Sequence, residues 1–193
     1  MTALPKLKPR MTVEEFYDWD GGGHVGKLEL VHGVVRAQSY ASGGHGTMQG
    51  NLVTLIRNHL RAQGKGCRVG TEVGVIPTFD PTHNVRKPDL TVTCVPHTPG
   101  ERAYPKPMLV VEVLSPSNQD DTWESIQACS TIGWVKEILV VDSELVDVRL
   151  FTRGADGMWP EDPALFVRGA TLHLTSIGLD VAVDEIYADI AIS

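Results

Sequence analysis

Two carboxylates stand where the chain should be building a core. In MLVVEVLS (108–115), β-alternation puts Met108, Val110, Glu112 and Leu114 on one face and Leu109, Val111 and Val113 on the other. Both faces are apolar, so the strand reads as central, and a bare charge there is costly unless a metal or a partner compensates it. Asp89 opens a second strand, PDLTVTCV, with Pro88 holding the chain extended before it. Acids on two strands of one sheet can meet and share a divalent ion. Hard oxygen ligands suit Mg²⁺ or Mn²⁺, which keep several waters beside one or two carboxylates. The competing readings are a buried ion pair for Glu112 and turn chemistry for Asp89. Glu29, in LELVHG, is a third acid between apolar neighbours, and Glu72, in TEVGV, is more simply a sheet-edge or surface residue. His45 follows two glycines at a helix start. It reads as a packed histidine or as a site residue assisting phosphate or water, since helix N-termini favour anions.

These residues need elements to hold them. Thr12-Val13-Glu14-Glu15 has the form of a capping box opening a helix. LELVHGVVRAQ (28–38) reads as a hairpin turning at His32-Gly33. The period of Met48, Leu52, Leu55, Ile56 and Leu60 predicts a helix over 45–63, stopped by Gly64 and Gly66. CRVGTEVGVIPTF (67–79) alternates as a strand, and KPDLTVTCV (87–95) is another. The nearly continuous apolar run 108–115 follows, then a helix over about 120–132 with Trp123, Ile126 and Cys129 or Ser130 inward. KEILVVD (136–142) and LVDVRLFTR (145–153) form a hairpin across Ser143-Glu144, and short strands with a closing helical turn complete the chain. The pattern predicts an α/β fold in which helices flank a mixed central sheet. With 193 residues and no long linker, one domain over 1–193 is expected, its core at about 11–152 and its last strands and short helix at 153–193.

Composition narrows the function classes. Apolar residues make up 42% and charged residues 21% of the chain, an ordinary globular balance that excludes a wholly disordered chain. MLVV and ILVV are the longest apolar runs, far short of the ~20 residues of a membrane helix. The basic N-terminus MTALPKLKPR lacks the apolar stretch of a signal peptide, so a cytoplasmic location is expected. Cys67, Cys94 and Cys129 are odd in number and widely spaced, which predicts neither a zinc knuckle nor a disulfide framework. The net charge of −7 argues against nucleic-acid binding over the whole surface, yet residues 30–71 hold no acid and five basic residues. On the expected helix, Arg57, Arg61 and Lys65 fall near i, i+4 and i+8, a basic stripe that is either a solvated face or a set of contacts to an anionic partner.

Pro88-Asp89 followed by Glu112 resembles the PD-(D/E)XK nuclease signature. The wider set TVEEF (12–16), LELVHGVV (28–35), His45, RKPDLTV (86–92), VVEVLSPS (110–117) and EILVVD (137–142) resembles the Uma-type family of restriction-endonuclease-like proteins. The resemblance spans about residues 11–152. It implies a restriction-endonuclease-like core and metal-dependent hydrolysis of DNA phosphodiester bonds. Asp89 and Glu112 would then be the metal ligands, Glu29 an additional acid and His45 a site residue; if the partner is DNA, the stripe of Arg57, Arg61 and Lys65 read from spacing is the candidate for contacts to its backbone. Pairing into a homodimer is an expectation by analogy with nucleases of this size. The chain departs from the pattern at the lysine. Leu114 stands two residues after Glu112, and Ser125 stands where similar chains carry lysine on the next helix. Lys87 shares a face with Asp89 only if the strand extends before Pro88. The alternative function is therefore a catalytically weakened nuclease fold acting as a binding or regulatory module.

Overall fold

The computed structural model describes residues 10–24, 26–38, 41–116 and 118–192, so most of the basic N-terminal segment lies outside the described residues. The first helix, α1 (Val13–Asp18), starts with the predicted capping box: Thr12 Oγ1 accepts from the Glu15 amide, and Glu15 Oε2 accepts from the Thr12 amide. The hairpin β1 (Leu28–Val31) and β2 (Val34–Ala37) turns through His32 at φ 50° and Gly33 at φ 79°. Two positive φ values in a two-residue loop match the right-handed strand twist. A side chain at Gly33 would also collide with Arg10. Leu30 exchanges backbone hydrogen bonds with Val85, tying this hairpin to the segment that leads into Asp89.

Helix α2 (Gly43–Gln63) is capped by Ser42, whose Oγ accepts from the His45 amide, and ends at Gly64 in the left-handed conformation. Lys65 therefore lies beyond the helix, and the predicted stripe keeps only Arg57 and Arg61 on it. The main sheet has six strands in the order β3 (Arg68–Thr71), β4 (Leu90–Thr93), β5 (Pro107–Leu114), β6 (Glu137–Asp142), β7 (Val148–Thr152) and β8 (Ala164–Phe166). Only β5 and β6 run parallel, joined through α3 (Gln119–Ser130). The hairpin β9 (Thr171–Leu174) and β10 (Leu179–Ala182) and the short helix α4 (Val183–Ile186) complete the chain.

The alternation read in β5 holds from Leu109 to Leu114, while Met108, expected on the face of Val110, packs against the cluster of Leu109 instead. Leu109, Val111 and Val113 face the cluster built by Met48, Leu52, Ile56 and Leu60 of α2 with the C-terminal hairpin. Val110 and Leu114 face Ile126 and Cys129 of α3. Each such fully buried side chain is worth roughly 1.5–3 kcal/mol, which is what clamps the two helices onto the sheet. On α3 the buried set is Thr122, Ser125, Ile126 and Cys129, with Trp123 only partly covered.

Two expectations are corrected. The strand expected over 67–79 stops at Thr71, because Glu72 takes φ 52° and breaks the extended backbone. Cys67 and Cys94 are joined by a disulfide. The register Arg68↔Thr93 carries the next residue pair, Cys67 and Cys94, into direct opposition, a proximity that sequence spacing does not display. Among the described residues no helix is long and apolar enough to cross a membrane.

Candidate active site

Register brings the two acids together. Leu90 pairs with Val111 across β4 and β5, so one step further along the ladder Asp89 stands opposite Glu112. The Asp89 amide donates to Glu112 Oε2 at 3.4 Å, and the Val113 amide donates to Asp89 Oδ2 at 2.7 Å. Asp89 is further fixed through its carbonyl, which accepts from the Glu72 amide at 3.2 Å and from Gln49 Nε2 at 3.0 Å. Ser125, reaching in from α3, donates to Glu112 Oε1 at 2.7 Å. Both carboxylates are only 4% exposed, yet they line a cavity of about 390 Å³ together with Lys27, His45, Glu72 and Ser125.

His45 answers the question left open by its sequence context. The first turn of α2 aims Nε2 at Asp89 Oδ1, 3.2 Å away, so it belongs to the carboxylate cluster. Lys27 was not singled out from the sequence, and its Nζ lies 3.6 Å from the same oxygen. Its side chain is 12% exposed, with the ammonium turned inward. The Lys27 carbonyl accepts from the Gln38 amide and closes the open end of the β1–β2 hairpin. The only local signal was the alternation Lys27-x-Glu29, which puts both charged residues on one strand face. The approach itself depends on the Leu30–Val85 link.

The two acids have opposite electrostatic characters. Burial pushes Glu112 up, the adjacent Asp89 charge adds to it, and Lys27 and Ser125 oppose it; the carboxyl ends at about 8. For Asp89 burial acts in the same direction, but it is outweighed by the His45 hydrogen bond, the Lys27 charge and the Val113 amide, which hold the group below the usual carboxylate range. Burial alone would lower the Lys27 ammonium. The fields of Glu112, Asp89, Glu29 and Glu72 prevail and raise it. The cluster therefore holds an ionised Asp89 beside a Glu112 whose charge the facing Lys27 cation offsets only in part. Asp89 and Glu112 carry the oxygens that could hold a divalent ion. Among the described residues no group of three or more His, Cys, Asp or Glu forms a ready metal cage.

The remaining candidates are distributed differently. Glu29 is 2% exposed; its Oε2 faces Arg86 Nη1 at 3.5 Å, and its Oε1 accepts from the Lys87 amide at 2.6 Å. It adjoins the cluster electrostatically and is tied to a buried arginine that also reaches Glu124. Lys87 turns away from Asp89, with its Nζ 5.8 Å from the centre of the Phe16 ring. Glu72, at positive φ, also lines the cavity, and its charge acts on Lys27. Arg57, Arg61 and Lys65 are exposed. At 1.5 Å per residue, Arg57 and Arg61 lie ~18 and ~24 Å along α2 from His45. They are not brought to the carboxylates.

Known proteins share the sequence and the fold. The chain is 33% identical over 190 residues to an uncharacterised protein of Synechocystis, covering 97% of this chain and 95% of that one. Its fold superimposes with a TM-score of 0.73 on the crystal structure of "a putative nuclease belonging to DUF820" from Anabaena variabilis, at 17% identity, covering 92% of this chain and 97% of that one. Residues 13–184 match the Uma2 family, described as "Putative restriction endonuclease". The chain belongs to the Uma2 family of restriction-endonuclease-like proteins.

Proposed function

We propose that this chain is a divalent-metal-dependent nuclease that hydrolyses DNA phosphodiester bonds, with Asp89 and Glu112 as ligands of Mg²⁺ or Mn²⁺. The observation that carries the reading is the pair itself: two buried carboxylates set opposite each other in an accessible cavity, one of them pushed to about 8 by burial and its neighbour's charge, which Lys27 offsets only in part. A group in that condition costs stability and suits a hard cation, which would supply the missing charge. Two carboxylates, with water and a phosphate oxygen completing the sphere, fit the smaller of these ions without a full protein cage. Such an ion, when bound, polarises a phosphate and makes a bound water more acidic.

The chain's own groups supply the positioning. His45 and the Val113 amide fix the two Asp89 oxygens separately, so the aspartate cannot rotate. Ser125 does the same for one oxygen of Glu112. Glu29 holds the segment before Asp89 through the Lys87 amide, which supports a positioning role. Arg57 and Arg61 would touch backbone phosphates some 18–24 Å from His45, about five to seven phosphates along one strand.

A second reading, a nuclease fold retained as a binding or regulatory module, is favoured by Leu114 and Ser125 at the two positions where lysine was expected; both are buried and neither carries charge. Incubation with supercoiled plasmid and circular single-stranded DNA in Mn²⁺ separates the two. The nuclease reading expects cleavage that EDTA stops and that falls at least ~100-fold in Asp89→Asn. DNA binding without cleavage by the folded wild type would favour the module.

A further inference from the structure

We propose that Lys27 is the catalytic lysine of this site, delivered by the N-terminal hairpin rather than by β5 or α3. The inference rests on the nuclease reading and deepens it. Lys27 is the one lysine or arginine among the described residues lining the carboxylate cavity. Its Nζ lies 3.6 Å from Asp89 Oδ1, and its side chain is largely withdrawn from solvent. An ordinary surface lysine would leave its ammonium in water and bury only its stem. Here the head is inside, among Glu112, Asp89, Glu29 and Glu72.

The chemistry needs a cation at this place. In phosphodiester hydrolysis the water oxygen bonds to phosphorus as the bond to the leaving sugar oxygen breaks. The water loses a proton to solvent, the leaving oxygen gains one, and negative charge builds on the phosphoryl oxygens meanwhile. A fixed ammonium beside the metal-ligand carboxylates stabilises that charge and remains protonated throughout. His45 is committed to Asp89, and Ser125 donates its hydroxyl to Glu112 without carrying charge.

Two features place Lys27 securely. The Gln38 amide bonds its carbonyl at 2.9 Å, and the Leu30–Val85 pair fixes the hairpin against the segment that becomes β4. The lysine and the aspartate are therefore linked through a few backbone hydrogen bonds, not through a free loop. Ser125 faces the same cavity from α3, so position 125 offers a second site from which an ammonium could reach it.

The test compares wild type, Lys27→Met and Lys27→Met/Ser125→Lys for plasmid and single-stranded DNA cleavage in Mn²⁺. Mn²⁺ binding is followed by calorimetry and folding by thermal melting. The expected result is a loss of ~100- to 1,000-fold in cleavage for K27M with Mn²⁺ binding retained, and partial recovery in the double variant. A role confined to neutralising Asp89 would predict altered stability with cleavage unchanged, or loss that the relocated lysine does not restore; either outcome overturns the assignment. If K27M does not melt cooperatively, Lys27→Gln is read by the same criteria. Wild-type protein that binds Mn²⁺ and cleaves nothing overturns the nuclease reading itself, and Lys27's role with it.

Discussion

Glu112 and Glu137 are both buried acids on adjacent strands of one sheet, and they differ in what surrounds them. Glu137 is fully buried and accepts from the Thr175 amide and hydroxyl and from the Ser176 amide, so its charge is compensated and it holds the C-terminal hairpin to the sheet. Glu112 has one hydroxyl and one long amide contact, an anionic neighbour whose effect Lys27 offsets only in part, and a carboxyl pushed to about 8. Burial of an acid is therefore no sign of a site; burial without full compensation is. The folded value lies above the unfolded value near 4.5, so the folded state binds a proton there that the unfolded state releases. In metal-free protein this contribution favours folding below pH ~4.5 and is lost progressively as pH rises towards ~8. Glu112→Gln in EDTA should thus be more stable than wild type by on the order of a few kcal/mol at pH 8, and nearly equal to it at pH 4.5. Urea unfolding at the two pH values measures the gap; equal gaps at both would contradict the account. Arg86 is the opposite case. Removing it in Arg86→Met leaves Glu29 buried without its cation, which should cost ~3–5 kcal/mol in the same assay.

At the scale of elements, the strand carrying Glu112 was legible because apolar residues alternate on both of its faces from Leu109 to Leu114, whereas the register that ends at Leu90↔Val111 and sets Asp89 opposite Glu112 was not. The start of α2 was legible from its glycines, and the side to which His45 turned was not, because the aspartate it meets lies in another element. Lys27 escaped for the same reason. The lysine positions that the motif marks lie at and after Glu112, whereas the cation arrives from a hairpin far upstream, held to the segment before Asp89 by the Leu30–Val85 bridge, the Gly33–His83 bond and the Glu29–Lys87 amide contact. The strand expected through TEVGV failed at Glu72, whose positive φ is invisible to alternation because the residue is not glycine. The Cys67–Cys94 disulfide depends on the β3–β4 register in the same way. It closes a loop between residues 27 apart in sequence, so Cys94→Ser should lower unfolding free energy by ~2–4 kcal/mol under oxidising conditions. Adding reductant should erase most of that difference. A difference that persists in reductant would mean that packing of the sulfurs, and not the cross-link, was responsible.

Across the whole molecule, charge is segregated. The chain carries −7 overall, yet the sequence segment 30–71, which contains α2, holds no acid, and the exposed face of α2 carries Arg57 and Arg61. If those arginines meet DNA phosphates, Arg57→Gln/Arg61→Gln should weaken binding uniformly across sequences and reduce the salt slope by about 2. Unchanged salt dependence would assign the stripe to solvent. The fold itself supports the division of labour: α2 runs from the carboxylate cavity at its N-terminus to the basic face near its C-terminus, clamped on the sheet by Met48, Leu52, Ile56 and Leu60. All of this converges on one claim, that Asp89 and Glu112 together hold a metal ion. The most direct measurement is Mn²⁺ binding by calorimetry on wild type and Glu112→Ala, with circular dichroism confirming that both are folded. The account predicts binding by the wild type that is lost in the folded variant. Wild-type protein that binds no Mn²⁺, beside a variant changed only in stability, would contradict it.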